Sequence, residues 1–191
     1  MAQKSREEII DMIRSGQSLA GIDLAGVDLS YETLKGVNLS GLDLHEAHLQ
    51  NCNLEGANLS GTNLVKAFLF GANLHKARLD GAILDEANLQ DSNLDEATLI
   101  KSSLCHTSLF GSSLEKADLS EADLNRARMK RANLRHAKLC RANLQNVHIE
   151  RADLTGATLE GANLTNANFT NAELQRATLT DAIMEGTIGI S

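Results

Sequence analysis

Proline and tryptophan are absent from this chain of 191 residues, and tyrosine occurs once. An ordinary globular core leans on large aromatic side chains, so a chain this long with so few of them must bury many small aliphatic groups in a regular pattern. The missing proline suits a backbone whose N–H groups are committed to hydrogen bonds between neighbouring segments. No apolar stretch reaches the length of a signal peptide or a membrane span, which predicts a soluble, cytoplasmic protein without membrane contact. Three cysteines at irregular spacing, with no CxxC pair, make no disulfide framework and fit a reducing compartment. Asp and Glu outnumber Lys and Arg by 25 to 18, a net charge of −7. That balance argues against a nucleic-acid partner, because phosphate neutralisation needs a basic excess.

What is present is a repeat. From Leu19 to Met184 every fifth residue is large and apolar, Leu at all but Met129, Ile149, Phe169 and Met184. Two residues earlier most units carry a small residue, usually Ala, as in Ala57-Asn58-Leu59. A period of five fits neither a helix nor a flat strand, so the chain must turn once per unit. The small residue and the Leu lie two apart on locally extended backbone and point to one side, inward. All but one of the glycines fall two residues after the apolar position, where a turn favours positive φ.

The units Ala72-Asn73-Leu74 and Ala122-Asp123-Leu124 resemble those of the pentapeptide repeat family, and the resemblance covers about residues 17–187. It implies an all-β, right-handed quadrilateral parallel β-helix, a solenoid of four units and 20 residues per coil around ladders of Leu. The N-terminus departs from the repeat. Ser5-Arg6-Glu7-Glu8 reads as a capping box, Ile9, Ile10, Met12 and Ile13 form an apolar stripe, and Gly16 is a stop, so a short helix over residues 6–15 should lid the first coil. The expected organisation is a capping helix within residues 1–16, the repeat over 17–187 and a tail at 188–191. Glu32 occupies an inward position that this reading leaves unexplained. At the other end Ile183, Met184, Ile188 and Ile190 follow the last coil without a helical pattern, and an unlidded end of this kind predicts a homodimer through the C-terminus.

With the coil length that the resemblance implies, residues 20 apart lie one above another. Most charges then alternate in sign up the corners, as in Glu46, Lys66 and Glu86, which discourages slippage of one coil on the next. The face of residues 27–31, 47–51 and onward to 167–171 differs. It carries every aromatic residue: Tyr31, Phe68, Phe70 and Phe110 outward, Phe169 inward. Arg128, Lys130, Arg131 and Arg151 stand on its later part, offset only by Glu150. Exposed aromatics beside unpaired arginine have the composition of a contact surface, so these seven outward residues and Arg151 are the candidate partner-binding residues.

The same map scatters the three cysteines and six histidines, and no glycine-rich loop precedes a Lys-Ser or Lys-Thr pair. No catalytic, cofactor-binding or metal-ligating residue is assigned, no cofactor is expected, and the chain is read as a non-catalytic module presenting a rigid face to a protein. The resemblance also implies an alternative. Some family members resemble duplex DNA in shape and charge, bind type II topoisomerases such as DNA gyrase and protect them from quinolones. Residues 1–100 fit this, with fifteen acidic and seven basic groups, but residues 126–141 hold seven basic residues and no acidic one, which interrupts the continuous negative potential a mimic needs.

Overall fold

A turn closes each five-residue unit in the computed structural model, which describes residues 4–19 and 21–190. The N–H of the small inward residue donates to the carbonyl of the Leu three positions earlier, as from Ala57 to Leu54 at 3.0 Å. The second residue between them takes φ near +60°, whether it is Gly56 (φ 64°) or Lys66 (φ 57°). Positive φ confined to that residue marks a type II turn. Twenty-two non-glycine residues adopt it, and none is β-branched, the class of side chain that tolerates it least. The corners are therefore filled by glycine or, Tyr31 apart, by polar and charged side chains.

The central residue of each unit pairs with those 20 positions before and after it, as Asn53 does with Thr33 and Asn73, so one coil is 20 residues. Each N–H of a unit then has a destination. In residues 52–56, Cys52 N–H closes the turn on Leu49, Asn53 N–H donates to Glu32 of the previous coil, and Leu54 and Gly56 donate to Asn73 and His75 of the next. Only Glu55 N–H finds no carbonyl. It donates to the Asn53 side-chain Oδ1 at 3.1 Å. That single leftover donor is the physical reason for Asn or Asp at the centre of so many units.

The expectation of an all-β parallel β-helix, a β-solenoid, is corrected by this geometry. Among the described residues no β-strand or sheet is formed; the pairing between coils consists of isolated single-residue bridges, and the one regular element is a helix. A turn in every unit leaves three extended residues between corners, of which one pairs in both directions. Consecutive bridges, which define a strand, have no room to form. The rod is a stacked coil of turns.

Its interior is filled by Leu from Leu19 to Leu164, closed at the last complete layer by Phe169, with Ala between them. Hydroxyls replace Ala at Thr62, Ser102, Thr107 and Ser112, and each donates to a core carbonyl, as Thr107 Oγ1 does to Leu84 at 2.7 Å. Cys52 takes one such slot, its Sγ donating to the Leu29 carbonyl, and burial pushes its thiol up to about 11.

The two ends differ. Helix α1, Arg6–Arg14, begins with both halves of the capping box in place, Ser5 Oγ accepting from Glu8 N–H and Glu8 Oε2 from Ser5 N–H, and buries Ile9 and Ile10 on the first coil. Glu32, the inward misfit, clamps this lid: its Oε1 lies 3.0 Å from Arg6 and its Oε2 3.1 Å from Arg14, with the carboxylate 16% exposed. At the other end no helix covers the last coil among the described residues. Leu174 and Leu179 are only partly buried, and the N–H groups of Leu174, Arg176, Leu179 and Asp181 have no acceptor among the described residues. Gly189 lies against the last coil, where a Cβ would collide with the backbone of Phe169 and Thr170. Residues 1–3, Ala20 and Ser191, which the expected segments include, lie outside the described residues.

Candidate partner-binding face

Seen from its central residues, one face runs Asp28, His48, Phe68, Asn88, Ser108, Arg128, His148, Asn168, each bridged to the next. Elsewhere on the rod this position is mostly Asn or Asp because its side chain must accept the leftover N–H of the residue two further on. Where it is not, an Asp of the previous coil substitutes in three units, as Asp80 does for Ile100 and Asp95 for Glu115, while others, such as those with Asp80, Cys140 and Glu160, leave the N–H without an acceptor among the described residues. On this face the rule fails at His48, Phe68, Ser108, Arg128 and His148. The N–H groups of Gln50, Phe70, Phe110, Lys130 and Glu150 accordingly have no acceptor among the described residues. In other coils the same N–H meets an outward side chain, so these five donors are aimed at the outer surface.

The side chains divide the face into two groups and an outlier. Phe68 stacks on His48 with ring centroids 4.8 Å apart, and Phe70 stands in the same coil; both phenylalanines are about 40% exposed. Two coils further, Phe110 is 36% exposed and the Arg131 guanidinium lies 5.9 Å from its ring centre, within cation–π range. Phe110, Arg128 and Lys130 line one shallow depression of about 570 Å³ together with Gln90, Ser108, His148 and Glu150. Arg151 occupies the corner one coil above Arg131. Tyr31, 77% exposed, stands alone at the first corner and joins neither group.

Sequence reasoning missed Arg126. It lines a second depression with Glu86, His106, Asn146, Arg128 and His148, around the corner from the first, and so extends the basic group up to the Glu86 that Lys66 pairs. The signal was readable as the same corner register shared by Glu86, His106 and Arg126. The unsatisfied N–H column was missed for another reason: its meaning depends on knowing what the central Asn does.

Charge elsewhere is paired. Lys35 meets Glu55 at 2.9 Å, Lys76 meets Glu96 at 3.5 Å, Lys138 meets Asp118 at 3.3 Å, and Glu121 is shared by Lys101 and Arg141 at 3.6 and 3.1 Å. By contrast Arg126, Arg128, Lys130, Arg131 and Arg151 have no carboxylate partner and no side-chain hydrogen bond among the described residues. Of the two acids beside them, Glu86 lies 4.0 Å from Lys66, and Glu150 is engaged by Asn168 Nδ2 at 2.8 Å and lies 3.7 Å from His148 Nδ1. Of the proposed C-terminal contacts, Ile183, Met184 and Ile188 are about half exposed while Ile190 packs partly against the core. Among the described residues no group of three or more His, Cys, Asp or Glu could hold a metal ion, and no helix is long and apolar enough to cross a membrane.

Against known proteins, the sequence pattern described as pentapeptide repeats matches in eight copies, over residues 18–56, 38–75, 52–91, 72–111, 107–146 and 148–186. Comparison with curated protein sequences finds no match. Among solved structures the chain is similar to HetL, a pentapeptide repeat protein involved in heterocyst differentiation regulation in the cyanobacterium Nostoc sp. strain PCC 7120, with 30% identity over 95% of both chains and a TM-score of 0.31. It is also similar to a pentapeptide repeat protein of the Arabidopsis thaliana thylakoid lumen, at 35% identity over 52% of this chain and 66% of that one, TM-score 0.42. A more distant likeness is to QnrB1, a plasmid-mediated fluoroquinolone resistance protein, at 17% identity over 84% and 92% of the two chains, TM-score 0.36.

Proposed function

We propose, from the premise that this chain belongs to the pentapeptide repeat family and is not an enzyme, that it works as a rigid module binding a protein partner through the face from His48 to Arg151. One observation carries the reading: the exposed phenylalanines and the cluster of unpaired cations fall on the same face, where five turn N–H donors are also left without an acceptor. Each departs from what the coil itself requires. Natural sequences depart from structural consistency chiefly at functional sites, and aromatics with arginine are the residues that dominate contact energies.

The test is capture from native lysate by wild type and by a Phe70→Ser, Phe110→Ser variant whose fold is checked by circular dichroism. A partner retained by wild type and lost by the folded variant supports the face. A partner retained by both overturns it.

A second contact is supported by the partly buried leucines and free N–H groups of the last described coil. Helix α1 blocks head-to-tail stacking, so two copies could cover their exposed edges only by meeting C-terminus to C-terminus, through Ile183, Met184 and Ile188. Light scattering of wild type against Met184→Lys, Ile188→Lys reads the halving of mass this arrangement requires. The duplex-mimic reading finds support only in the acidic first hundred residues, and the basic run at 126–141 opposes it. Inhibition of DNA gyrase supercoiling undiminished by Phe70→Ser, Phe110→Ser would restore it.

A further inference from the structure

We infer that Arg126, Arg128, Lys130, Arg131 and Arg151, with the free N–H groups of Phe110, Lys130 and Glu150, form a docking site for an acidic protein segment. The inference rests on the face proposed above and gives its partner a chemistry.

The argument begins from pairing. On the rest of the coil, Lys and Arg from Lys35 to Arg141 are matched to carboxylates, generally one coil away; among the described residues seven cations are not, and two of these, Lys4 and Arg176, lie toward the ends. The remaining five sit together in two successive coils. Like charges gathered in two successive coils repel one another, and apart from the Arg131 contact with Phe110 they meet no partner within the coil, so the arrangement is most favourable when negative charge arrives from outside.

The backbone supplies a second, independent element. Phe110, Lys130 and Glu150 occupy the same position in three successive coils, at roughly 4.8 Å per layer. Their N–H groups form a short column of outward donors alongside the guanidinium groups. Carboxylate oxygens accept strongly from both kinds of donor. An aspartate side chain already plays this part within the coil, where Asp95 Oδ1 accepts from Glu115 N–H at 2.8 Å. A partner's Asp or Glu would therefore repeat, from outside, a contact the coil makes for itself. Phe110 offers an apolar neighbour for a non-polar residue of the same segment.

The extent of the patch favours protein over nucleic acid. A phosphate chain following the rod would leave the two basic coils and meet Glu46, Glu86 and Asp91 at the corners of the same face. A short acidic segment ends before it reaches them.

Fluorescence anisotropy with the full chain tests this. The probes are a labelled heptapeptide of Glu with a central Leu, its counterpart with Gln replacing every Glu, and a labelled oligothymidine. Arg128→Asn removes a cation and supplies the side-chain acceptor that Lys130 N–H lacks, so it should fold at least as well as wild type. The acidic peptide should bind wild type, bind Arg128→Asn and Arg131→Ser at least about tenfold more weakly, bind Lys76→Ser unchanged, and weaken as salt is raised. The Gln peptide should not bind. Equal affinity for wild type and Arg128→Asn, equal binding of both peptides, or tighter binding of oligothymidine would each overturn the inference, as would a wild-type dimer that Arg128→Asn dissociates. If the acidic peptide fails while Phe70→Ser, Phe110→Ser still loses its lysate partner, the face stands and only its acidic ligand falls. If the peptide binds through the arginines while that variant keeps its partner, the patch stands and the wider face falls.

Discussion

The face through His48, Phe68, Ser108, Arg128 and His148 and the next one, through Asn53, Asn73, Asn93, Asn133 and Asp153, are built on the same backbone and differ mainly in one residue per unit. On the second face the central side chain accepts the leftover N–H of its own turn, as Asn133 does from Arg135 at 3.1 Å, and several reach to the previous coil as well, as Asn73 Nδ2 does to Asn53 Oδ1 at 3.3 Å. On the first, five units forgo that bond for an aromatic, a hydroxyl, an imidazole or a guanidinium. The difference teaches that the central position has a structural optimum, and that departures from it coinciding with exposed phenylalanines and unpaired cations locate where another requirement acts.

The largest effect is one that ignores the comparison. Leu114→Ala should cost about 2 to 5 kcal/mol by opening a void in a fully packed ladder. Met129→Leu, under the first face, should cost less than about 1.5 kcal/mol because volume is conserved. Urea unfolding monitored by circular dichroism reads both, and a large loss from Met129→Leu would show that the departures extend into the core for structural reasons.

Asn133→Ala and Arg128→Asn then bear on it directly. Asn133→Ala should destabilise by roughly 1 kcal/mol, since Arg135 N–H loses its acceptor, whereas Arg128→Asn should stabilise by about the same amount by giving Lys130 N–H one. Opposite signs in the same unfolding assay sharpen the contrast; a destabilising Arg128→Asn would break it.

Glu121→Gln, which unpairs Lys101 and Arg141, should change stability by less than about 1 kcal/mol because the groups are exposed. A larger change would mean that charge pairing, rather than turn chemistry, holds the coils together.

The smallest effect is one of pH. The hydrogen bond between Asp43 and His45 holds the carboxyl below its usual range and raises the imidazole above 6.5. The stabilisation belonging to His45 is complete below the ordinary imidazole value and is lost as pH rises through its raised value. That belonging to Asp43 is complete above the ordinary aspartate value and is lost as pH falls through its lowered one. The pair therefore contributes fully in the mildly acidic window between the two ordinary values. NMR titration should show His45 titrating above 6.5 and returning toward it in Asp43→Asn.

Much of the rod was legible in the chain. A five-residue period with Leu and Ala two apart placed the core, the corner glycines placed the turns, and Ser5 with Glu8 placed the helix. The face was visible as well, because Phe68, Phe70 and Phe110 share a register once the coil length is known. Expecting strands went too far, since a repeat of extended triplets resembles a sheet until the turns are counted. Glu32 looked like an error in the pattern; only the approach of Arg6 and Arg14, 26 and 18 residues away in sequence, made it a clamp.

The sequence by itself determined the period, the inward residues and the register, because a turn in every unit lets local chemistry dictate which way each side chain points. Tertiary structure alone decided which cations are neutralised, which N–H groups are left free and which end is closed. Those depend on what lies 20 residues away in the next coil, and a donor or a charge counts as unsatisfied only when its neighbours in space are known.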